Sequence, residues 1–484
     1  MKKYNVFKVL LFALLGAIIA SFVLPKSQIG YTGIEKGVIN PITFVDTISN
    51  GLTSFSVFIG NFILILSIGI FYSVLKKTEK YDVIINNTAC KFKKNKKAFI
   101  ILTVIIFGFL TAVIGDVYAV LFMVPAFIDT SKKLGYDSKT SILITVGSIL
   151  LGLSSSLYTN YTNQILALKV STNIFVKVIT LVVSLLLVIL YAIFKSKPED
   201  VKLEKEEAKK TLPISIIFDV MIVLTILGMV SWKSYFNFNG FSDFHNNIIG
   251  FKLFKVSLFN ALVGTTVTAF GEWSVYSLIV LLLVMSVIIS IIYRLKIDGL
   301  FDSFANGIKK ALPYGLILII ANTILVGVYN SGFFVTAIKS IGSMKDSILS
   351  TLTISSLSSL VYPDYTYASQ FTLSTIATII SKKAIFASIG LIFQLVYSLM
   401  LLISPTSIVL LMALKYEDVR YKDWFKYIYK FLLGLLIIFF IVVIIISSKY
   451  IRPISYIVLA VLIVIFVLLF ILSLSKKKNV KSKE

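Results

Sequence analysis

The chain has almost no thiol or imidazole chemistry to offer. Across 484 residues there is one cysteine, Cys90, and one histidine, His245. A single cysteine excludes an intramolecular disulfide framework and leaves no thiolate cluster for zinc or an iron–sulfur centre. A single histidine, read as a loop residue, argues against a His-based metal or catalytic centre. Charge is scarce too: 14% of residues are Asp, Glu, Lys or Arg, against 57% that are hydrophobic. A soluble protein of this size needs a far more polar surface, so most of the chain must face lipid or other buried helices. Acidic residues are the rarer sign, 23 against 47 Lys and Arg, which leaves a net charge of +24. That excess does not point to nucleic acid. The lysines sit between apolar spans, the pattern of membrane topology and anionic-lipid contact. Walker A, G-x-S-x-G, H-E-x-x-H and Rossmann motifs are missing as well. Their absence argues against ATP-driven transport within this chain and against a known type of hydrolase.

What is present is a series of apolar runs. A membrane-crossing helix needs roughly 20 apolar residues. Runs of that kind occupy 5–24, 52–75, 98–128, 140–168, 173–194, 212–231, 274–293, 311–330, 346–381, 384–414, 427–448 and 453–474. The first follows Lys2 and Lys3 as a signal peptide would. No A-x-A site follows it, and it is long enough to span, so it reads as a retained helix. Runs 98–128 and 346–381 are too long for one crossing and carry polar interruptions. Lys76, Lys77, Lys80, Lys91, Lys93, Lys94, Lys96 and Lys97 precede the first, and Lys132, Lys133 and Lys139 follow it. Basic flanks on both sides place both in the cytoplasm, which makes 98–128 a re-entrant hairpin turning near Gly115-Asp116. Run 346–381 breaks at Tyr362-Pro363-Asp364-Tyr365 and reads as a second hairpin, entering from outside.

The order helix, hairpin, polar-interrupted helix, helix then occurs twice, over 52–194 and 311–448. This is the inverted-repeat signature of secondary transporters. The expected fold is an all-α polytopic membrane protein, with about ten transmembrane helices and two re-entrant hairpins in two inverted-topology repeats. Residues 1–51 form the first helix and an outside loop, 195–310 connect the repeats, and 449–484 give a last helix and a basic tail. Both termini are expected in the cytoplasm of a bacterial inner-membrane protein. Segment 250–272 is polar and Gly-rich and reads as interfacial, with Glu272-Trp273 at its end.

Polar residues at membrane depth mark the candidate site. The run Gly152-Leu153-Ser154-Ser155-Ser156-Leu157-Tyr158-Thr159-Asn160-Tyr161-Thr162-Asn163-Gln164 interrupts an apolar helix halfway. Unpaired polar groups in hydrocarbon are costly, and Ser, Thr and Asn compete for backbone hydrogen bonds. A broken helix here would expose carbonyls and half-helix ends to an ion or substrate. Ser156, Thr159, Asn160 and Asn163 are the candidates, and plain helix–helix glue is the alternative. Ile403-Ser404-Pro405-Thr406-Ser407 is the second break, since Pro405 removes an intrahelical bond. Ser404, Thr406 and Ser407 are its candidates, against a structural kink. The hairpin turns add Asp116 and Asp364, the latter with Thr366. Ionisable groups at membrane depth suggest function, while a capping Asp is the structural alternative. Asp219 lies within another apolar run. Asn61 and Asn322 stand in the first helix of each repeat, where interhelical hydrogen bonding competes with a site role.

These residues resemble the YfcC-like family, related to the C4-dicarboxylate anaerobic carriers within the ion transporter superfamily. The resemblance covers Phe71 to Lys195 and Asp298 to Phe440. It is carried by Phe71-Tyr72-Ser73-Val74-Leu75-Lys76-Lys77-Thr78, by Leu134-Gly135-Tyr136-Asp137-Ser138, and by Ser404-Pro405-Thr406-Ser407 with Leu411-Met412-Ala413-Leu414 and Trp424. It implies a two-repeat fold with two hairpins and two broken helices, often dimeric, moving carboxylates, amino acids or peptides. By position, Thr159 and Asn160 resemble the family's first polar break, and Thr406 and Ser407 the second. There are departures. Tyr118 and Ala119 replace acidic residues after the first hairpin's Gly. Asp364, Tyr365, Thr366 and Tyr367 replace a Gly- and Ser-rich stretch. Asn322 stands where an Arg is common.

The expectation is a secondary transporter, an exchanger or one coupled to Na⁺ or H⁺. Its substrate is a small organic solute, a basic amino acid ahead of a carboxylate or peptide, and it has no other cofactor. Any Na⁺ would lie near Asn160 and Thr406. A Na⁺/H⁺ antiporter is the alternative within transport, and a membrane-embedded enzyme or scaffold the alternative outside it. The expected partners are the solute, the bilayer and a second copy in a homodimer.

Overall fold

The computed structural model describes residues 5–30, 33–157, 160–206, 211–253, 256–343, 346–380 and 382–447. The last apolar run, 453–474, lies outside the described residues. Hydrocarbon offers no hydrogen-bond partner to the backbone, so apolar runs of this length fold as helices. Among the described residues nine helices are long and apolar enough to cross a membrane, and the all-α polytopic expectation holds. The departures are two short antiparallel hairpins in loops, Ser27–Gly30 with Gly33–Lys36 and Lys252–Leu253 with Val256–Ser257.

The helices sort into two compact units. The first takes residues 48–159 and 188–323, the second residues 1–47, 160–187 and 324–484.

In the first unit, the run expected at 52–75 is two helices, Phe44–Val57 and Ile59–Lys77, bent at Phe58. Hydropathy alone hides the earlier start, because the added turns carry Asp46, Thr47, Ser49 and the buried Asn50. These helices lie along helix Ile297–Ser331, which starts well before the expected 311 and holds Pro313 inside it. Helix Lys96–Ile114 packs on helix Ser148–Ser154 through two glycines. A Cβ at Gly152 would run into the Gly108 carbonyl oxygen and lie 2.9 Å from the Thr111 Cβ. Small residues let transmembrane backbones approach this closely. Gly152→Ala is therefore expected to cost about 1–3 kcal/mol through overpacking against backbone that cannot move aside. Thermal unfolding of the purified variant checks it, and an unchanged midpoint would refute the close approach.

On the first unit's loop side, residues 199–206 run as a strap over the base of the hairpin. Lys96 Nζ donates to Glu199 O (2.8 Å), Lys93 Nζ to Leu203 O (2.9 Å) and Asn86 Nδ2 to Glu204 O (2.8 Å). Gly135, at φ 86°, accepts from the Glu199 amide at 2.9 Å. Burial pushes the neighbouring Tyr136 hydroxyl up to about 12. His245, expected in a loop, is on helix Gly240–Gly250 with its ring 6.1 Å from that of Phe259. Segment 250–272 contains a β-hairpin and the short helix Leu258–Val263, and among its described residues there is no candidate span.

In the second unit, helix Asn5–Val23 leads into the first β-hairpin, which docks on residues 332–339. The Ser27 amide donates to Gly332 O (3.1 Å), and Ser27 Oγ lies 2.7 Å from Thr336 Oγ1. Gly332 has φ 67°, and a Cβ there would sit 2.9 Å from Ser27 O. Helices Ser347–Val361, Phe386–Met400 and Tyr421–Ser447 share a core of Ile348, Ile392, Val396 and Val443.

Candidate functional site

Each unit brings a hairpin turn against a broken helix. In the first unit, helix Lys96–Ile114 stops at Gly115 (φ 78°), whose amide donates back to Thr111 O at 2.8 Å. A left-handed glycine is the standard way to end a helix. Asp116 Oδ1 then accepts the Tyr118 amide at 2.8 Å. The buried stretch Tyr118–Met123 and helix Val124–Lys133 return along the ascending arm. Phe127 shows the reversal, its ring centroid 5.0 Å from Phe107 and 6.2 Å from Phe99. The Tyr72 hydroxyl pins the returning arm, donating to Phe122 O (2.7 Å) and accepting from the Ala126 amide (3.2 Å).

Helix Ser148–Ser154 ends beside this turn. Ser154, Ser155 and Ser156 are fully buried. The Leu157 amide donates to Ala112 O at 2.9 Å, and a Cβ at Gly115 would stand 3.1 Å from Ser156 Oγ. The first hairpin tip and the first break are thus in direct contact. A new helix, Asn160–Ile165, opens after the break and belongs to the second unit. Thr159 and the Asn160 side chain lie outside the described residues. Asn163 holds the loop that follows its helix, its Nδ2 donating to Lys169 O (3.0 Å) and Val170 O (3.1 Å).

In the second unit, the turn Tyr362-Pro363-Asp364 joins helices Ser347–Val361 and Tyr365–Ile379. Asp364 Oδ1 accepts the amides of Thr366 (2.9 Å) and Tyr367 (3.1 Å), capping the second arm. Ser358 Oγ lies 2.9 Å from Thr372 Oγ1 and ties the arms together. Helix Phe386–Met400 breaks over 401–407 and resumes as Ile408–Tyr416. The break is bonded to the hairpin. Ser404 Oγ donates to Ser359 O at 2.6 Å, and Thr406 Oγ1 to Ser359 O at 3.1 Å and Leu360 O at 3.3 Å. Ser407 is buried in front of the resumed helix and gives it no side-chain cap. Carbonyls left open at the break find aromatic donors: Trp424 Nε1 bonds Leu402 O at 2.8 Å, and the Tyr421 hydroxyl bonds Ile403 O. The Tyr397 hydroxyl holds Tyr362 O at 2.7 Å, and Thr162 Oγ1 lies 2.7 Å from the Tyr365 hydroxyl.

Several buried side chains among the described residues have no hydrogen-bond partner, among them the hydroxyls of Ser148, Ser184, Thr225, Ser369 and Ser398 and both amide atoms of Asn322. Ser398 did not stand out in the sequence, where an isolated Ser on a helix is ordinary glue. Tyr397 and Tyr421 were equally unmarked. Asp219 is exposed on helix Leu212–Met229.

The arrangement is that of a membrane protein with broken helices, rich in hydroxyls and turn carboxylates. The sequence profile of the C4-dicarboxylate anaerobic carriers matches residues 6–449, nearly the whole chain. The chain belongs to that carrier family. It is a multi-pass membrane carrier and not an enzyme. No curated protein matches the carrier's sequence. Among solved structures, the YdaH transporter of Alcanivorax borkumensis aligns with 93% of the carrier and 99% of its own chain, at 9% identity and a TM-score of 0.45. MtrF of Neisseria gonorrhoeae, described within a class of antimetabolite efflux pumps, aligns with 87% and 94%, at 12% identity and a TM-score of 0.35. The family match, rather than these distant chains, places the protein among carriers.

Proposed function

We propose that the protein is a secondary active carrier of a small amino acid, with a basic one favoured, working by exchange or by coupling to Na⁺ or H⁺. One observation carries this reading. Segments 98–128, 140–168, 346–381 and 384–414, which make up both hairpins and both broken helices, contain no Lys or Arg. The charges that they do contain at the turns are Asp116 and Asp364. A solute with two carboxylates would find no cationic side chain on these elements. An amino acid brings its own ammonium for an Asp and asks of the protein only neutral donors for its carboxylate. The Ser407 hydroxyl and the opened backbone of the second break are such groups. In this reading the two element repeats are inverted, both termini lie in the cytoplasm of a bacterial inner membrane, and Na⁺, where it couples, sits near Asn160 and Thr406.

A C4-dicarboxylate is the second reading, favoured by the family's name. Ligand-induced thermal stabilisation of the purified carrier separates them, because a ligand that binds only the folded state raises its apparent stability by mass action. A rise with arginine or ornithine is the expected result. A rise with succinate and none with amino acids would overturn the charge argument. A rise with Na⁺ alone would make the chain a cation antiporter.

A further inference from the structure

We infer that Asp364 and the tyrosine rings beside it take the cationic side chain of the transported amino acid, and that the rings select a guanidinium over a primary amine. The inference rests on the amino acid reading above and names the solute within it. The carboxylate comes first. Asp364 Oδ1 is occupied by the amides of Thr366 and Tyr367, and Oδ2 accepts no hydrogen bond from the described residues. No Lys or Arg among them pairs with it. The side chain is half-buried, so a solute can reach it.

An open polar face leads to that carboxylate. On helix Tyr365–Ile379, positions 366, 370, 374 and 378 follow helical spacing and share one face, with Tyr367 beside them. Gln370 and Thr378 are exposed, and Thr366, Tyr367 and Ser374 are half-buried. The rest of the helix, from Tyr365 and Ala368 to Leu373 and Ile376, is packed inside. A face turned to lipid would carry apolar side chains, because hydrocarbon offers Gln and Thr no partner. At membrane depth this face therefore lines water. Aromatic rings border it. The Tyr367 ring lies 5.8 Å from that of Phe371, and Tyr329 stacks on Phe371 at 4.3 Å while remaining 55% exposed. Tyr161 is 52% exposed, and the Tyr367 hydroxyl lies within electrostatic reach of both Asp364 and Tyr161. Acceptors are few here and ring surface is ample. A compact ammonium is strongly hydrated and has three donors to satisfy. A guanidinium is planar and weakly hydrated, and one carboxylate oxygen with the face of a ring can hold it.

The test compares L-arginine with L-lysine and L-ornithine by thermal stabilisation and binding to the purified full-length carrier. The wild type is expected to prefer arginine by about 3- to 30-fold, the range of one cation–π contact. Tyr367→Phe keeps the ring and is expected to keep the preference. Tyr367→Leu is expected to lose it, binding arginine no better than lysine. Arginine preference that survives in the Leu variant would overturn the inference, as would a wild type that binds all three alike; either result leaves the amino acid reading standing. A wild type that answers to no amino acid would overturn the reading and the inference together. Should the Leu variant fail to fold, Gln370→Cys in a Cys90→Ser background tests the open face, since Cys90 is the only native thiol. A charged thiol reagent applied to both sides of reconstituted vesicles is expected to label it, and arginine to slow the labelling more than lysine does. A cysteine that the reagent does not reach, or that arginine leaves equally reactive, would overturn the inference.

Discussion

Asp364→Asn is expected to leave the carrier folded with an unchanged thermal midpoint, yet to lower amino acid uptake by about ten-fold or more, the loss of one charge-assisted contact. Asp364→Ala is expected to lose uptake equally and to lose stability as well. The two substitutions separate two jobs done by one carboxylate. Its Oδ1 caps helix Tyr365–Ile379 by accepting the amides of Thr366 and Tyr367. Asn is as good a cap as Asp, whereas Ala costs about 0.5–2 kcal/mol. The negative charge is what an ammonium-bearing substrate would use, and Asn removes it. Reconstituted vesicles loaded for arginine uptake give the rate, and thermal unfolding gives the cap. Full uptake by the Asn variant would reduce Asp364 to a cap and move the charge argument onto Asp116. Asp116 also holds one amide, that of Tyr118.

This double use of carboxylates shows how far the sequence could be read. Both hairpins were legible because a run too long for one crossing, with Gly115-Asp116 or Pro363-Asp364 in its middle, has few other ways to fold in lipid. Both breaks were legible because dense Ser, Thr and Asn, or a proline flanked by hydroxyls, opposes a continuous helix. Whether each Asp faces its own backbone or a solute depends on an oxygen's direction, which no pattern encodes. The aromatic supports were hidden for another reason. Tyr397 and Tyr362 are 35 residues apart, and Trp424 and Leu402 are 22 apart. Near the end of a span, a Tyr or Trp looks like any belt residue. The missed helix at Phe44–Val57 failed on hydropathy, since its added turns carry Asp46, Thr47, Ser49 and the buried Asn50. Asn322 was visible as a polar residue in an apolar run. Only coordinates could show that the packing around it leaves its amide unmet.

Removing both hydroxyls of the second break is expected to damage the carrier far more than removing either. The carbonyls of Ser359 and Leu360 belong to the last turn of helix Ser347–Val361, where the helix itself supplies no donor. At membrane depth no water replaces it. Ser359 O is served twice, by Ser404 Oγ at 2.6 Å and by Thr406 Oγ1 at 3.1 Å. Ser404→Ala leaves Thr406 in place, and Thr406→Val leaves Ser404, so each single variant is expected to lose about 1 kcal/mol or less, the net value of one hydrogen bond. The double variant strands a buried carbonyl outright, at about 1–3 kcal/mol for that group alone, beyond the two single losses. The coupling between the sites is therefore expected to be strongly non-additive. It also unties the break from the hairpin turn that it touches, so uptake is expected to fall below detection while membrane insertion persists. A double-mutant cycle on unfolding midpoints, run beside uptake, measures both effects. Additive small losses would mean that the two hydroxyls point elsewhere and that the hairpin closes its own last turn. Strong coupling with loss of uptake would make this pair of hydroxyls the joint through which the second break follows its hairpin.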